Sequence, residues 1–285
     1  MNRRLPEWLT VKAPKHGAYE EMAGFLKGLG LNTVCQSASC PNIGECFSKG
    51  TATFMILGDV CTRSCGFCGV NHGTPETVNI DEPLHVAQAS ARMGLNYIVV
   101  TSVTRDDLID GGAGQFAETI RHLKEAIPGA LVEVLIPDLQ GDGEALRTII
   151  DAEPFVLNHN VETVARLYTV VRPQANYKRS LKLLETAKAI NPSIYTKSGF
   201  MVGFGETDEE VVEVMHDLHE VGCEIVTIGQ YLRPSKENLD VVEYIPPAKF
   251  DEYKKIGESM GFRFVAAGPF VRSSYHASEI AETSG

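Results

Sequence analysis

The chain has 285 residues, of which 44% are hydrophobic and 22% charged, ordinary for a globular enzyme and enough for one barrel-sized domain with modest additions or for two smaller domains. No apolar run reaches the roughly 18 residues of a membrane span, and the opening M-N-R-R-L-P-E-W lacks a signal-peptide pattern, so a cytoplasmic protein is expected. The net charge of -11 argues against nonspecific nucleic-acid binding, and the slight basic excess of residues 1–50 needs no more than a solvated face to explain it.

Residues 1–50 show no regular alternation, but they hold Cys35, Cys40 and Cys46. From residue 51 short apolar runs alternate with amphipathic stretches. Strands are predicted at 51–57, 97–101, 131–136, 155–157, 194–202 and 224–228, with a short one near 264–266. Helical periodicity covers 82–94, 113–126, 142–152, 161–170, 178–190, 207–221 and 247–260. Repeated β-α order implies a parallel sheet with crossover helices, either an open doubly wound sheet or a full or partial barrel, and the barrel is preferred because its chemistry sits on loops after the strand ends. Directly after the first strand comes C-T-R-S-C-G-F-C, with Cys61, Cys65 and Cys68. Further polar residues gather where strands end: T-S-V-T-R-D-D-L-I-D-G-G from 101 after the second strand, N-H-N-V-E-T from 158 after the fourth, and K-S-G-F-M-V-G-F-G-E-T from 197 within the fifth. Taken singly, Asp106 and Asp107 read as solvent-facing, Thr207 as a helix cap, and Gly203 and Gly205 as turn residues.

Six of the seven cysteines fall into these two trios. Three thiolates on one short loop suit three irons of a 4Fe-4S cube and leave the fourth open to a substrate or cofactor. Zinc is the weaker reading, because its structural sites usually take two separated ligand pairs, although His72 and His16 offer fourth ligands. A disulfide framework is not needed by a core of this size. Cys223 reads as a small buried hydrophobe, and His159, between two asparagines, as hydrogen-bonded structure.

The CxxxCxxC trio after a first barrel strand resembles the radical S-adenosylmethionine (SAM) superfamily. Cys35, Cys40 and Cys46 in a Cx4Cx5C arrangement, the following A-T-F-M-I-L-G-D-V-C-T-R-S-C and the terminal R-S-S-Y-H-A together resemble the lipoyl synthase family. P-E-W-L, S-V-T-R-D-D, H-N-V-E-T, V-R-P-Q-A-N-Y and Q-Y-L-R-P-S extend the likeness over nearly the whole chain. Gln36 and Ser37 stand where that family often has acidic residues, and Phe47 where it often has Trp, but no ligand position is lost.

The resemblance implies an α/β partial TIM barrel, (β/α)6, over 51–267. It further implies that 1–50 and 268–285 are extensions that bind and close an auxiliary cluster. Cys61, Cys65 and Cys68 would hold the 4Fe-4S cluster whose open iron chelates SAM, and reduction would yield a 5′-deoxyadenosyl radical. Cys35, Cys40 and Cys46, with Ser274 as an oxygen ligand, would hold a second 4Fe-4S cluster that gives up sulfur to C6 and C8 of an octanoyl-lysine. Implied SAM contacts lie at Ser102, Val103 and Thr104, and at Gly199, Met201 and Gly203 within a motif closing at Glu206. Asn158, Asn160, Glu162 and Lys197 are further candidates for ribose or carboxylate contacts, with Arg172 and Tyr177 on the substrate side. Implied partners are octanoylated lipoyl carrier domains of 2-oxoacid dehydrogenases or the glycine cleavage H protein, and flavodoxin or ferredoxin as reductant. Two alternatives stand beside this one: a biotin synthase or methylthio-transferase, and a two-cluster electron carrier or scaffold.

Overall fold

The computed structural model describes residues 5–10, 24, 28, 31–33 and 53–274. Its strands are β1 (Asn32–Thr33), β2 (Thr53–Ile56), β3 (Val60–Cys61), β4 (Asn71–His72), β5 (Tyr97–Ser102), β6 (Leu131–Leu135), β7 (Val156–Asn158), β8 (Tyr195–Val202), β9 (Ile225–Gln230) and β10 (Phe264–Gly268). Between the larger strands lie α1 (Glu82–Arg92), α2 (Ala113–Ala126), α3 (Gly143–Ile150), α4 (Tyr168–Val171), α5 (Tyr177–Ile190), α6 (Asp208–Glu220) and α7 (Pro247–Met260). One sheet runs β1-β2-β5-β6-β7-β8-β9-β10, antiparallel at β1–β2 and parallel at every later pair. The result is the expected six β-α units, closed by the seventh parallel strand β10, in an open barrel.

Helix ends are set by local chemistry. Asp142 accepts hydrogen bonds from Glu144 N and Ala145 N at the start of α3, and Asn176 caps α5 through Arg179 N. Thr207 and Glu210 form a capping box at α6, as the cap reading of Thr207 anticipates. Gly261 ends α7 at φ +96°, a left-handed conformation that favours glycine. No helix among the described residues is long and apolar enough to cross a membrane.

The alternation along each strand divides two environments. Ile98, Val100, Val132, Val134, Leu157, Val226 and Ile228 join the helices in the main core. On the opposite, concave face, Val156 and Ile225 pack with Phe155, Tyr195 and Phe264 in a separate cluster. Above that apolar floor the concave face is polar: Lys197 Nζ lies 2.8 and 3.1 Å from the two Glu133 carboxylate oxygens, which also accept from Tyr97 Oη and Asn158 Nδ2. Lys197, expected among the SAM contacts, thus has its ammonium engaged by Glu133.

The predicted helix over 161–170 is only partly present. Glu162 has φ +67° and pairs with strand β8, its N–H bonding Gly199 O and its carbonyl accepting from Met201 N. The backbone hydrogen bonds available beside β8 thus override helical periodicity, and helical structure begins only at Ala165. Tyr177 also departs from expectation, because its hydroxyl bonds Asp217 on α6 and its ring meets Tyr168 edge-on, within the helical layer. Cys223 is buried at 2% exposure, as expected.

Removing one partner of a buried ion pair strands the other charge, which costs about 3–5 kcal/mol. Lys197→Met is expected to destabilise the iron-free protein by roughly that amount. Chemical denaturation checks this, and the double variant Lys197→Met/Glu133→Gln should recover most of the loss.

Candidate active site

The loop from Cys61 to Cys68 sits at the end of the barrel where the parallel strands finish. It is tied there on several sides. Thr62 N and Oγ1 both donate to Thr104 O, at 3.0 and 2.9 Å, and Thr62 Oγ1 accepts from Asp106 N. Gly66 N donates to Val171 O, and Ser64 N to Gln174 Oε1. The strongest tie is Arg63. Its guanidinium, 3% exposed, bonds Asp106 through Nε at 2.6 Å and Nη2 at 2.8 Å, and reaches Asp138 through Nη2 at 2.7 Å. Asp138 is fully buried and also accepts from Arg179 Nε at 2.9 Å.

Burial alone would raise the Asp138 carboxyl, but hydrogen bonds and charge from Arg63, aided by Arg179, hold it below the usual carboxylate range. A bidentate guanidinium–carboxylate contact fixes direction as well as distance, so a loop carrying three cysteines gains one defined shape. The solvent-facing reading of Asp106 is therefore incomplete, while Asp107, itself exposed, pairs with the buried Arg105. Sequence reasoning assigned no role to Arg63, Asp138 or Arg179, whose partners lie far along the chain. The visible signal was an arginine between two cysteines and an aspartate pair after β5.

The three thiols are free and partly accessible. Burial raises the Cys65 thiol, with Arg172 opposing, and pushes Cys68 up to about 12. Iron must therefore displace protons to form thiolates here. Among the described residues no three His, Cys, Asp or Glu side chains converge as ligands of a single ion would. A 4Fe-4S cube takes each thiolate on a different iron, so its ligands need not converge on one point.

Near the ends of β5 and β7 several buried polar atoms make a candidate cradle. Ser102 Oγ, Asn158 Oδ1, Asn160 Oδ1, Thr163 Oγ1 and Arg172 Nε are buried without a hydrogen-bond partner, the condition that a polar ligand relieves. Arg172 donates through Nη1 to Asn160 O and Tyr168 Oη and interacts electrostatically with Cys65 and Glu162, nearer the cysteines than its substrate-side assignment implies. Asn160 Nδ2 donates to Glu162 Oε1 at 3.1 Å. Burial raises the Glu162 carboxyl, with Arg172 and Asn160 drawing it back.

Glycine at 199 leaves space that a side chain would fill, because a Cβ there would lie 2.4 Å from Thr227 Oγ1 and 3.0 Å from Asn160 Oδ1. Met201 is partly exposed beside it, and Val103 is buried at 3%. Glu206 closes the following loop by accepting from Gly203 N and Phe204 N, at 2.5 and 3.0 Å. The donor set and the unpartnered polar atoms together fit a cluster beside a polar cofactor.

After β10 the chain turns over the same mouth. Val271 O would lie 2.3 Å from a Cβ at Gly229, and the charge of Arg272 acts on Glu162. Half-buried Ser274 follows two residues later. Cys35, Cys40 and Cys46 lie outside the described residues.

His159 is buried with Nδ1 2.9 Å from Ile136 O and Nε2 2.9 Å from Ser180 Oγ, consistent with its structural reading. Burial, reinforced by the Arg172 charge, pushes its imidazole down to about 4 from 6.5. Below pH 6.5 the unfolded chain takes a proton that the folded chain refuses, so stability falls until about pH 4. For this group alone the loss from pH 7.5 to 5 is roughly 2 kcal/mol. Denaturation of iron-free protein at the two pH values and the titration of the His159 resonance measure it; an imidazole titrating near 6.5 would contradict the reading.

The family model described as the radical SAM superfamily matches residues 55–218. The chain is 57% identical over 277 residues to a lipoyl synthase from Caldanaerobacter subterraneus subsp. tengcongensis, covering 97% of each chain. It is 55% identical to a lipoyl synthase from Rubrobacter xylanophilus, covering 97% of this chain and 86% of the relative. In fold it is similar to the FeFe-hydrogenase maturase HydG from Carboxydothermus hydrogenoformans, with a TM-score of 0.63 and 15% identity over 80% of this chain and 56% of that one.

Proposed function

The chain belongs to the lipoyl synthase family of the radical SAM superfamily, a sulfurtransferase family that inserts sulfur at C6 and C8 of a protein-bound octanoyl chain, and on that premise we propose which residues perform each task. The observation that carries the assignment is the cysteine loop, anchored by Arg63 at the barrel mouth, with Arg172 and Glu162 acting electrostatically on Cys65. Two 4Fe-4S clusters and SAM are the cofactors. We assign the SAM-cleaving cluster to Cys61, Cys65 and Cys68. When bound, that cluster and SAM supply the 5′-deoxyadenosyl radical, the reagent needed by carbons that offer neither acidity nor an electrophile.

The protein holds and shields. We assign Ser102, Asn158 and Asn160 to SAM through their unpartnered oxygens, with Val103, Thr104, Gly199, Met201 and Gly203 shaping the cradle. Glu162, ordered by Asn160, and Arg172, with its free Nε, are assigned to polar ends of the cofactor. Lys197 is assigned a supporting role: its ion pair with Glu133 holds Asn158 Nδ2 and so aims Asn158 Oδ1.

The auxiliary cluster is the sulfur-donating substrate, and we assign it to Cys35, Cys40, Cys46 and Ser274. Alkoxide is a harder, more exchangeable iron ligand than thiolate, which suits a cluster that must be dismantled. By this reading residues 1–50 and 268–285 are cluster-binding extensions of a 51–267 barrel. The substrate is an octanoylated lipoyl carrier protein, and we assign it to domains of 2-oxoacid dehydrogenases or the glycine cleavage H protein. The reductant is assigned to flavodoxin or ferredoxin, in the cytoplasm, where thiols stay available to iron.

Replacing Cys61, Cys65 and Cys68 together by Ala should abolish 5′-deoxyadenosine formation, whereas replacing Cys35, Cys40 and Cys46 should leave it and remove lipoyl product. Ser274→Ala should keep SAM binding and lower product yield by about tenfold or more, while Ser273→Ala does less. Mass analysis after a single turnover, with iron content before and after, reads all four. Parental yield from Ser274→Ala would reduce that serine to a structural hydroxyl.

A further inference from the structure

Residues 231–246 connect β9 to α7 without regular secondary structure, yet both ends and the middle are fixed. In the middle, Leu239 N donates to Gly66 O at 2.9 Å, and Asn238 Nδ2 donates to Cys68 O at 2.8 Å. Ser235 Oγ donates to Asn238 Oδ1 at 2.8 Å, so the amide has one orientation and its NH2 faces the cysteine loop. Tyr231 Oη holds Leu239 O at 2.8 Å. The fit is close: a Cβ on Gly66 would come within 2.8 Å of the Leu239 side chain.

The far end is anchored to the opposite side of the mouth. Val242 N donates to Gly203 O at 2.9 Å. Fully buried Gln230 donates from Nε2 to Val202 O, Tyr231 O and Glu243 O, and accepts from Ile245 N. Between the two anchorages Val171, Phe204 and Tyr231 form a separate apolar cluster with Phe67, Met201 and Leu239 packed against it. Tyr231 and Phe204 stack at 4.3 Å. One segment therefore ties the cysteine loop to the β8 and β9 ends and lays apolar surface between them.

We propose that residues 231–246 are a positioning strap for the SAM-cleaving cluster, with Asn238 as its key contact. The strap fixes the Cys68 end of the loop against the cradle and excludes water from that edge, two factors that govern cluster retention and reactivity. Asn238 acts through the Cys68 carbonyl and not on the reacting atoms. The proposal rests on Cys61, Cys65 and Cys68 being the cluster's ligands.

The test uses the reconstituted holoenzyme, in which the reduced cluster whose electron paramagnetic resonance signal changes on adding SAM is followed during challenge with an iron chelator. Asn238→Ala should lose that signal about tenfold faster than the parent, and Asn238→Asp, which keeps the shape but removes the donor, at least as fast. Ser235→Ala, which only frees the amide to rotate, should fall between. Both Asn238 variants should also bind SAM more weakly, with the thermal midpoint of the iron-free protein unchanged. Parental chelation rates, or losses matched by an equal drop in iron-free stability, would overturn the strap's positioning role. A SAM-responsive signal that survived loss of all three loop cysteines would overturn the ligand assignment itself, and the proposal with it.

Discussion

A loop with three cysteines can act as a ligand set only if it has one shape, and the buried Arg63 guanidinium between Asp106 and Asp138 ties that loop down. Burying an arginine and an aspartate is costly unless their donors and acceptors are matched, and here they are: Asp106 is bidentate, and Asp138 is shared with Arg179. The network runs from the cysteine loop through the ends of β5 and β6 to the start of α5. Strand order, crossover helices and the cap at Asn176 thus all converge on the position of Cys61, Cys65 and Cys68. The left-handed Leu139 and Gln140 next to Asp138 belong to the same turn, where Gln140 N and Gly141 N bond back to the aspartate.

The barrel's concave face serves a different need. Its floor is apolar, its middle is closed by the Glu133–Lys197 pair, and its upper rim carries oxygen and nitrogen atoms without protein partners. A protein leaves buried polar atoms unmatched only at appreciable cost, so these atoms are candidates for contact with a polar ligand. The turn after β10 passes over β9, with Val271 O close to Gly229 and the Arg272 charge acting on Glu162.

Much of this was legible in the sequence because period and spacing are local. Strand β5, helix α2 and helix α7 match their predicted bounds to within a residue, and the capping box at Thr207 was visible as T-D-E-E. The C-T-R-S-C-G-F-C spacing on one loop was legible for the same reason. What escaped was non-local. Nothing near Arg63 signals a partner 75 residues away, and nothing near Lys197 announces Glu133. Helical periodicity over 161–170 misled because pairing with β8 captured Glu162 first. Tyr177 looked like a substrate residue beside Arg172, but the start of α5 turns it toward Asp217.

The central claim is that one barrel mouth makes the radical and applies it to a carrier-bound octanoyl chain. Anaerobic incubation of the reconstituted protein with an octanoyl-lysyl peptide, SAM and a low-potential reductant, followed by mass analysis of peptide and nucleoside, tests it most directly. The account predicts a peptide carrying two new sulfur atoms, with one 5′-deoxyadenosine formed for each hydrogen abstracted, and far lower turnover of free octanoic acid. SAM cleavage without any sulfur-bearing peptide, from protein holding both clusters, would contradict it.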